Sequence, residues 1–391
     1  MIIKPKVRGF ICINAHPQGC EAHVNEQIQT IKNLGKIDGA PKKVLIIGCS
    51  TGYGLASRIT ATFGGDAETL GICFEKPPSE RKTASAGYYN TVAFEKAAKA
   101  AGIYSKTING DAFSDECKQQ VIDTLKADMG KVDLVVYSLA SPRRTDPKTG
   151  TTYMSTLKPV GKSYTAKNLN TDTLKISELT MEAANEEEIA NTVKVMGGED
   201  WELWMQALQE AELLADNANT VAYTYLGEQL TWPIYGHATI GKAKEDLDRA
   251  AKAISASGAA QANVSVLKAV VTQASSAIPI MPLYISLMFK VMKAEGSHED
   301  CIEQAYRLFT ECLYATSPRL DADNRFRVDN LELRPETQAK IEALWPQVTE
   351  ENLNELADFK GYSDNFLRLF GFGLAGVDYE AETNTLVEAD F

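Results

Sequence analysis

Val44-Leu45-Ile46-Ile47-Gly48-Cys49-Ser50-Thr51-Gly52-Tyr53-Gly54 narrows the folds open to this chain more than any other stretch. Four consecutive apolar residues, three of them β-branched, read as a strand buried on both faces of a parallel sheet. Gly48, Gly52 and Gly54 follow, and Leu55, Ile59 and Phe63 then recur at helical spacing. Strand, glycine turn and helix in that order open a dinucleotide-binding unit. One glycine ends the strand in a tight turn, another lets backbone N–H groups approach a pyrophosphate, and a third lets helix and strand pack closely. The spacing is Gly-x3-Gly-x-Gly rather than the commoner Gly-x-Gly-x-x-Gly, and a purely structural turn would look the same.

Strand and helix keep alternating beyond it. Glu68–Phe74 reads as a second strand ending at Glu75, which lies about 21 residues past Gly54, where a dinucleotide fold places the acid that binds the adenosine ribose. A carboxylate there repels a 2′-phosphate and favours NADH, whereas Lys76, Arg81 and Lys82 leave room for some NADPH use. An exposed strand-end glutamate is the bland alternative. An alanine-rich helix (Ala93–Ala101), a strand (Tyr104–Asn109) followed by Asp111-Ala112, a helix (Cys117–Met129) and a buried strand (Asp133–Ala140) come next. Asn219–Tyr225, a long helix from about Thr239, and a strand over Asn263–Val271 resume the pattern. The expected fold is α/β, a doubly wound and mostly parallel sheet of the Rossmann, short-chain-dehydrogenase-like type, with N-terminal, central and C-terminal additions.

Residues 1–80 read as an N-terminal appendage plus the first NAD(H)-binding strands, 81–317 as the catalytic and substrate-binding part of the same unit, and 318–391 as a helical C-terminal cap. The appendage has a β-prone start, then His16-Pro17-Gln18-Gly19, then a helix from about His23 through Ile31. Residues 141–200 break the rhythm. They are either a solvated insertion or, through Lys158, Lys162 and Lys167, a basic rim for the phosphates of coenzyme A or an acyl carrier protein. Ala277–Phe289 is the most apolar run and is too short for a membrane span. It is either core or the lining of an acyl-chain pocket.

A net charge of −12 argues against nucleic-acid binding and against adsorption to a membrane surface. Seven scattered cysteines form no Cys-x-x-Cys, and of four histidines only His23 lies at ligand spacing from a cysteine, Cys20. No metal site is expected. Free thiols fit a reducing cytoplasm, as does a start, Met1–Arg8, without a long apolar run.

Tyr235 is the candidate acid. No tyrosine has lysine four residues on, but Tyr235 has Lys242 at Tyr-x6-Lys and Lys244 at Tyr-x8-Lys. On a helix turning about 100° per residue, Ile240, Ala243, Leu247, Ala250, Ala251 and Ile254 form one apolar stripe, with Lys244 at its edge. Lys242 falls among Glu245, Asp246 and Arg249, a solvated face where it would pair with Asp246. An inward lysine needs a partner or a task. It can meet Tyr235 only if Tyr235 precedes the helix, with Gly236 and Thr239 as turn and N-cap. A snorkelling Lys244 beside a core Tyr235 is the structural alternative.

Together with Asn14–Cys20, Gly48–Ser57, Tyr137–Pro142, Val195–Trp201 and Gly241–Glu245, this spacing makes the chain resemble the FabV-type trans-2-enoyl reductases over essentially its whole length. Trp232–Tyr235 and Trp201–Met205 look closer to the acyl-carrier-protein branch than to the CoA branch. The resemblance implies NADH-dependent reduction of the double bond of a trans-2-enoyl thioester, the last step of fatty acid elongation, by a cytoplasmic monomer. It implies Tyr235 as proton donor, Lys244 as a catalytic and NAD-binding residue, and Tyr225 as a substrate contact. Gly48, Cys49, Ser50, Thr51, Gly52, Tyr53, Phe74, Glu75, Asp111, Ala112, Leu139, Ala140, Gln273, Ala274 and Ser275 would line the dinucleotide. The family's C-terminal segment is sometimes labelled FAD-binding, but residues 324–387 carry no pyrophosphate loop, so no flavin is expected. Two other readings stand beside this one: a reductase of mainly short CoA esters such as crotonyl-CoA, and a non-catalytic NADH sensor, which would not need an inward Lys244. A carbonyl-reducing dehydrogenase fits the fold but lacks Tyr-x3-Lys.

Overall fold

The computed structural model describes residues 1–139, 141–389 and 391. The central sheet holds seven strands, all parallel. They are β1 (Lys43–Ile47), β2 (Glu68–Cys73), β3 (Ser105–Asn109), β4 (Val132–Tyr137), β5 (Leu214–Thr224), β6 (Gln261–Val266) and β7 (Phe326–Arg327). Their spatial order is β7-β6-β5-β4-β1-β2-β3. The winding reverses between β1 and β4, the position where open parallel sheets bind their ligands.

β1 is hydrogen-bonded on both edges and buried on both faces, which is why it reads as unbroken Val-Leu-Ile-Ile. Its side chains alternate. Leu45 and Ile47 share a core with Trp201 and Trp204 of α6 (Glu199–Glu210) and Leu247 and Ile254 of α7 (Thr239–Ser257). Val44 and Ile46 face Leu308 of α9 (Cys301–Leu308) and Phe309. Behind that layer, α1 (Pro17–Leu34) and α3 (Ala86–Ala100) pack Val24, Ile28 and Phe94 against Ile59 of α2 (Gly52–Ile59).

Several boundaries differ from the sequence expectation, each for a tertiary reason. Helix α1 starts at Pro17, not His23, because the buried His16 ring caps it, accepting from Gly19 N at 3.2 Å. Helix α3 starts at Ala86, not Ala93. Its first turns are held by Tyr89, whose hydroxyl donates to the Thr385 carbonyl at 2.9 Å, a contact no local pattern announces. Strand β6 ends at Val266; Leu267 N still reaches the Thr224 carbonyl, but Lys268 N then donates to Gln304 and Ala269 N to Glu332.

Residues 141–200, which break the sequence rhythm, hold regular structure of their own. Two hairpins, Arg143–Thr145 with Thr152–Met154 and Tyr164–Leu169 with Ile176–Met181, precede α5 (Glu186–Met196) and α6, which both pack on α7, with α4 (Asp115–Thr124) against α6. The proposed basic rim is largely spent internally. Lys158 pairs with Glu188 at 2.5 Å and Lys167 caps the carbonyls of Trp345, Pro346 and Val348, leaving Lys162 exposed. The apolar run becomes α8 (Met281–Glu295), buried from Met281 through Phe289 as core. Beyond residue 318 the chain adds β7 as well as α10 (Pro335–Leu344) and α11 (Phe359–Arg368). Among the described residues no helix is long and apolar enough to cross a membrane, and none of the acidic, histidine and cysteine side chains cluster as metal ligands.

Candidate active site

The turn after β1 is built on contacts that only glycine permits. A Cβ on Gly48 (φ +90) would lie 2.3 Å from the Ser138 carbonyl oxygen, and one on Gly54 would lie 1.7 Å from the Gly48 carbonyl oxygen. Bare backbone therefore lets β1, α2 and the end of β4 close on one another at the switch point. Thr51, the N-cap of α2, makes no side-chain cap bond, so the first-turn N–H groups face the cleft without side-chain partners. Such a turn has the shape of a pyrophosphate cradle, and the residues present fit NAD(H).

Ser50, Glu75, Leu139 and the helical turn that starts at Gln273 lie at or near it. Cys49 is buried under the turn, and the Ser50 hydroxyl donates to Glu75 Oε1 at 2.6 Å. Asn109 grips the Glu75 backbone from both sides, at 2.7 and 2.9 Å, while Phe74 is 76% exposed beside it. Asp111 Oδ1 accepts from Phe113 N in a local turn, and the Ala112 carbonyl accepts from Trp204 Nε1. Leu139 lies against Gly48, whereas Ala140 falls outside the described residues. Gln273, Ala274 and Ser275 form one helical turn capped by Thr272, whose methyl group faces Gly52. Tyr53 donates to the Lys268 carbonyl at 2.8 Å.

Tyr235 precedes α7, at the end of a short turn over Trp232–Ile234. Gly236 and Gly241 fold that turn onto the helix: a Cβ on Gly236 would enter the Trp232 ring, and one on Gly241 would lie 2.2 Å from the Gly236 carbonyl oxygen. The N-cap is Ala238; Thr239 instead begins the helix and donates to the Thr156 carbonyl. Tyr235 is buried, and its ring stands edge-on to Tyr225 with centroids 4.7 Å apart. Its hydroxyl has no hydrogen-bond partner among the described residues. Burial, and then the negative charge of Glu332, raises its pKa, which keeps the phenol protonated at neutral pH.

The two lysines part company. Lys242 is exposed and paired with Glu245 at 2.8 Å; Asp246, the expected partner, instead binds Arg249 and the Gly198 N–H. Lys244 is half-buried and donates only to the Tyr223 carbonyl, at a long 3.4 Å. Burial lowers its pKa to about 8, so at neutral pH it remains a cation with N–H groups to spare.

Two buried groups escaped the sequence reading. Arg58 is fully buried on α2, donating to Thr69, Thr107, Ser105, the Lys106 carbonyl and Glu95, with its guanidinium 4.4 Å from the Phe94 ring centroid. It pins the helix behind the glycine turn to β2, β3 and α3. An arginine one residue before Ile59, inside the apolar helix pattern, was its only signal. Glu332, before α10, accepts from the Tyr225 and Tyr284 hydroxyls at 2.9 and 2.7 Å and from Ala269 N at 2.7 Å. Nothing local in its sequence distinguishes it.

A dinucleotide cradle at the switch point, with a protonated phenol and an inward lysine on the neighbouring elements, defines a nicotinamide-dependent oxidoreductase of the Rossmann class. Comparison with known proteins narrows this. A family model described as the trans-2-enoyl-CoA reductase catalytic region matches residues 82–314, and one for the NAD(P)H binding domain of trans-2-enoyl-CoA reductase matches residues 2–80. The chain is 69% identical, over 100% of both sequences, to the enoyl-[acyl-carrier-protein] reductase [NADH] of Saccharophagus degradans, and 67% identical, over 98% of both, to that of Teredinibacter turnerae. It superposes with a TM-score of 0.95 at 50% identity, over 98% of each chain, on the Treponema denticola trans-2-enoyl-CoA reductase in complex with NAD. The chain belongs to the trans-2-enoyl reductase family.

A third family model, described as an enoyl reductase FAD binding domain, matches residues 320–383. The residues present there do not fit a flavin pyrophosphate. Gly371 is packed against the backbone of His16 and Gly19, the Gly361 N–H is taken by Asp358, and β7 is followed by no glycine turn.

Proposed function

We propose that this protein is an NADH-dependent enoyl reductase that saturates trans-2-enoyl thioesters, carried in the cytoplasm on acyl carrier protein and also on coenzyme A, and that it acts as a monomer. The observation that carries the reading is the glycine turn at the switch point of the sheet, in a chain whose Tyr235 is buried and protonated with no hydrogen-bond partner among the described residues. NADH supplies the hydride, which goes to the β-carbon of the thioester. The double-bond electrons then move toward the thioester carbonyl oxygen, where negative charge develops. Tyr235 donates its hydrogen bond to that oxygen and releases the proton, which ends on the α-carbon as the carbonyl re-forms; solvent then reprotonates the phenol. Lys244 binds the nicotinamide ribose and opposes the developing charge. Glu75 favours NADH by repelling a 2′-phosphate, and Tyr225 lines the thioester site.

The preference for the carrier protein over coenzyme A is supported by relatives named for enoyl-acyl-carrier-protein reduction at 69% and 67% identity. The test is to compare NADH oxidation rates on matched enoyl-carrier-protein and enoyl-CoA substrates. Higher kcat/KM on the carrier-protein substrate is expected; a clear preference for short CoA esters would instead support the CoA-reductase reading.

A further inference from the structure

Tyr225 and Tyr235 are neighbouring phenols, and a reductase of the kind proposed above needs only one of them to release a proton. Glu332 separates them. The Tyr284 hydroxyl accepts from Gln338 Nε2 at 3.1 Å and donates to Glu332 Oε1 at 2.7 Å. Tyr225 donates to the same oxygen at 2.9 Å, closer than its 3.3 Å contact with Thr231 Oγ1. Oε2 accepts from Ala269 N. Three donors thus converge on its two oxygens, the arrangement that suits an ionised carboxyl. Glu332 is fully buried, and burial raises its pKa against the opposing pull of Lys268 and of these hydrogen bonds.

We infer that Glu332, supplied by the C-terminal segment, is a positioning residue that commits the Tyr225 proton inward and leaves Tyr235 the one phenol of the pair with a proton to give. Fixing the Tyr225 hydroxyl also fixes the ring against which Tyr235 stands edge-on. The same carboxylate is tied to the cofactor turn through backbone, since Tyr53 donates to the Lys268 carbonyl and the next residue's N–H, that of Ala269, donates to Glu332. This gives residues 320–383 a part in the reductase site without a flavin. The inference rests on Tyr235 being the proton donor.

The test uses the full-length protein with crotonyl-CoA and NADH. Glu332→Ala frees Tyr225, and an active-site displacement of about 1 Å costs on the order of 10²-fold. The expected result is a loss of about 10- to 100-fold in kcat, with NADH affinity, read by fluorescence titration, within about twofold of the parent. Glu332→Gln, which keeps an acceptor oxygen for either the phenols or Ala269 N but not both, should restore part of the loss. The solvent deuterium isotope effect on kcat should rise in the Ala variant as protonation slows. If Glu332→Ala does not fold, Glu332→Gln carries the same test, and parental kcat and isotope effect in that variant overturn the inference. A folded Glu332→Ala with parental kcat and isotope effect overturns it too, as does loss of NADH binding in parallel with kcat, which marks a merely structural role. Tyr235→Phe separates the two levels: full activity in that variant refutes the donor assignment itself, whereas an inactive Tyr235→Phe alongside normal Glu332 variants refutes only the role of Glu332.

Discussion

Lys244→Met should make the protein inactive and, without cofactor, more stable. The lysine sits half-buried with a single long hydrogen bond, and burial lowers its pKa from 10.5 to about 8. Full conversion of that displacement is ~3 kcal/mol, and partial exposure to solvent trims it to about 1–2 kcal/mol. The sign follows from proton binding. Below pH 8 both folded and unfolded chains carry the charge, so the whole penalty is present. Between about 8 and 10.5 the unfolded chain binds more protons, and stability rises with pH as the penalty is relieved. Methionine keeps the apolar stem and removes the charge. Urea unfolding at pH 7 should therefore show the variant more stable by about 1–2 kcal/mol, with the gap closing toward pH 10.5. Turnover should fall about 10²–10³-fold, the usual cost of removing one group that opposes developing charge. A variant that unfolds more easily than the parent at pH 7, or that keeps its turnover, refutes the reasoning.

Lys242→Met should cost only a few tenths of a kcal/mol of an exposed pair and leave turnover nearly intact; if it is the more damaging lysine change, the helix-face argument fails. Glu75→Ala should narrow the preference for NADH over NADPH, read as the ratio of kcat/KM values, and equal rates with both cofactors in the parent would contradict the role of Glu75. Leu247→Ala, on the buried stripe of α7, should lower stability by about 2–5 kcal/mol in denaturant titration, whereas a loss under 1 kcal/mol would show that the stripe is not core. Burial lowers the His23 pKa from 6.5 to about 4, so the unfolded chain gains a proton first on acidification and stability falls between those values. His23→Gln should flatten that limb of the pH–stability curve; an unchanged slope removes His23 from the account.

Where the pattern is local, sequence and structure coincide. The Val-Leu-Ile-Ile strand, its glycine turn and the apolar stripe of α7 each follow from period and residue type, and so does the inward turn of Lys244 beside an outward Lys242. Where order comes from distant partners, the sequence is silent. The hairpins of residues 141–200 rest on cross-strand bonds within polar segments, and the first turns of α3 are held by the C-terminal tail. Lys158 and Lys167 look solvated in sequence because their acceptors, Glu188 and the carbonyls ending α10, are supplied by other elements. Arg58 and Glu332 were illegible for the same reason: a buried charge is identified by the donors and acceptors brought around it.

The central claim is tested most directly by the product. Purified protein is incubated with NADH and crotonyl-CoA, without added flavin, and the thioester is analysed by mass spectrometry while NADH oxidation is followed by absorbance. The account predicts the saturated butyryl thioester, formed in equal amount to the NADH consumed, with one deuterium at the β-carbon when the hydride position of NADH is labelled. An aldehyde or alcohol product, a requirement for flavin, or binding of NADH without turnover would contradict it.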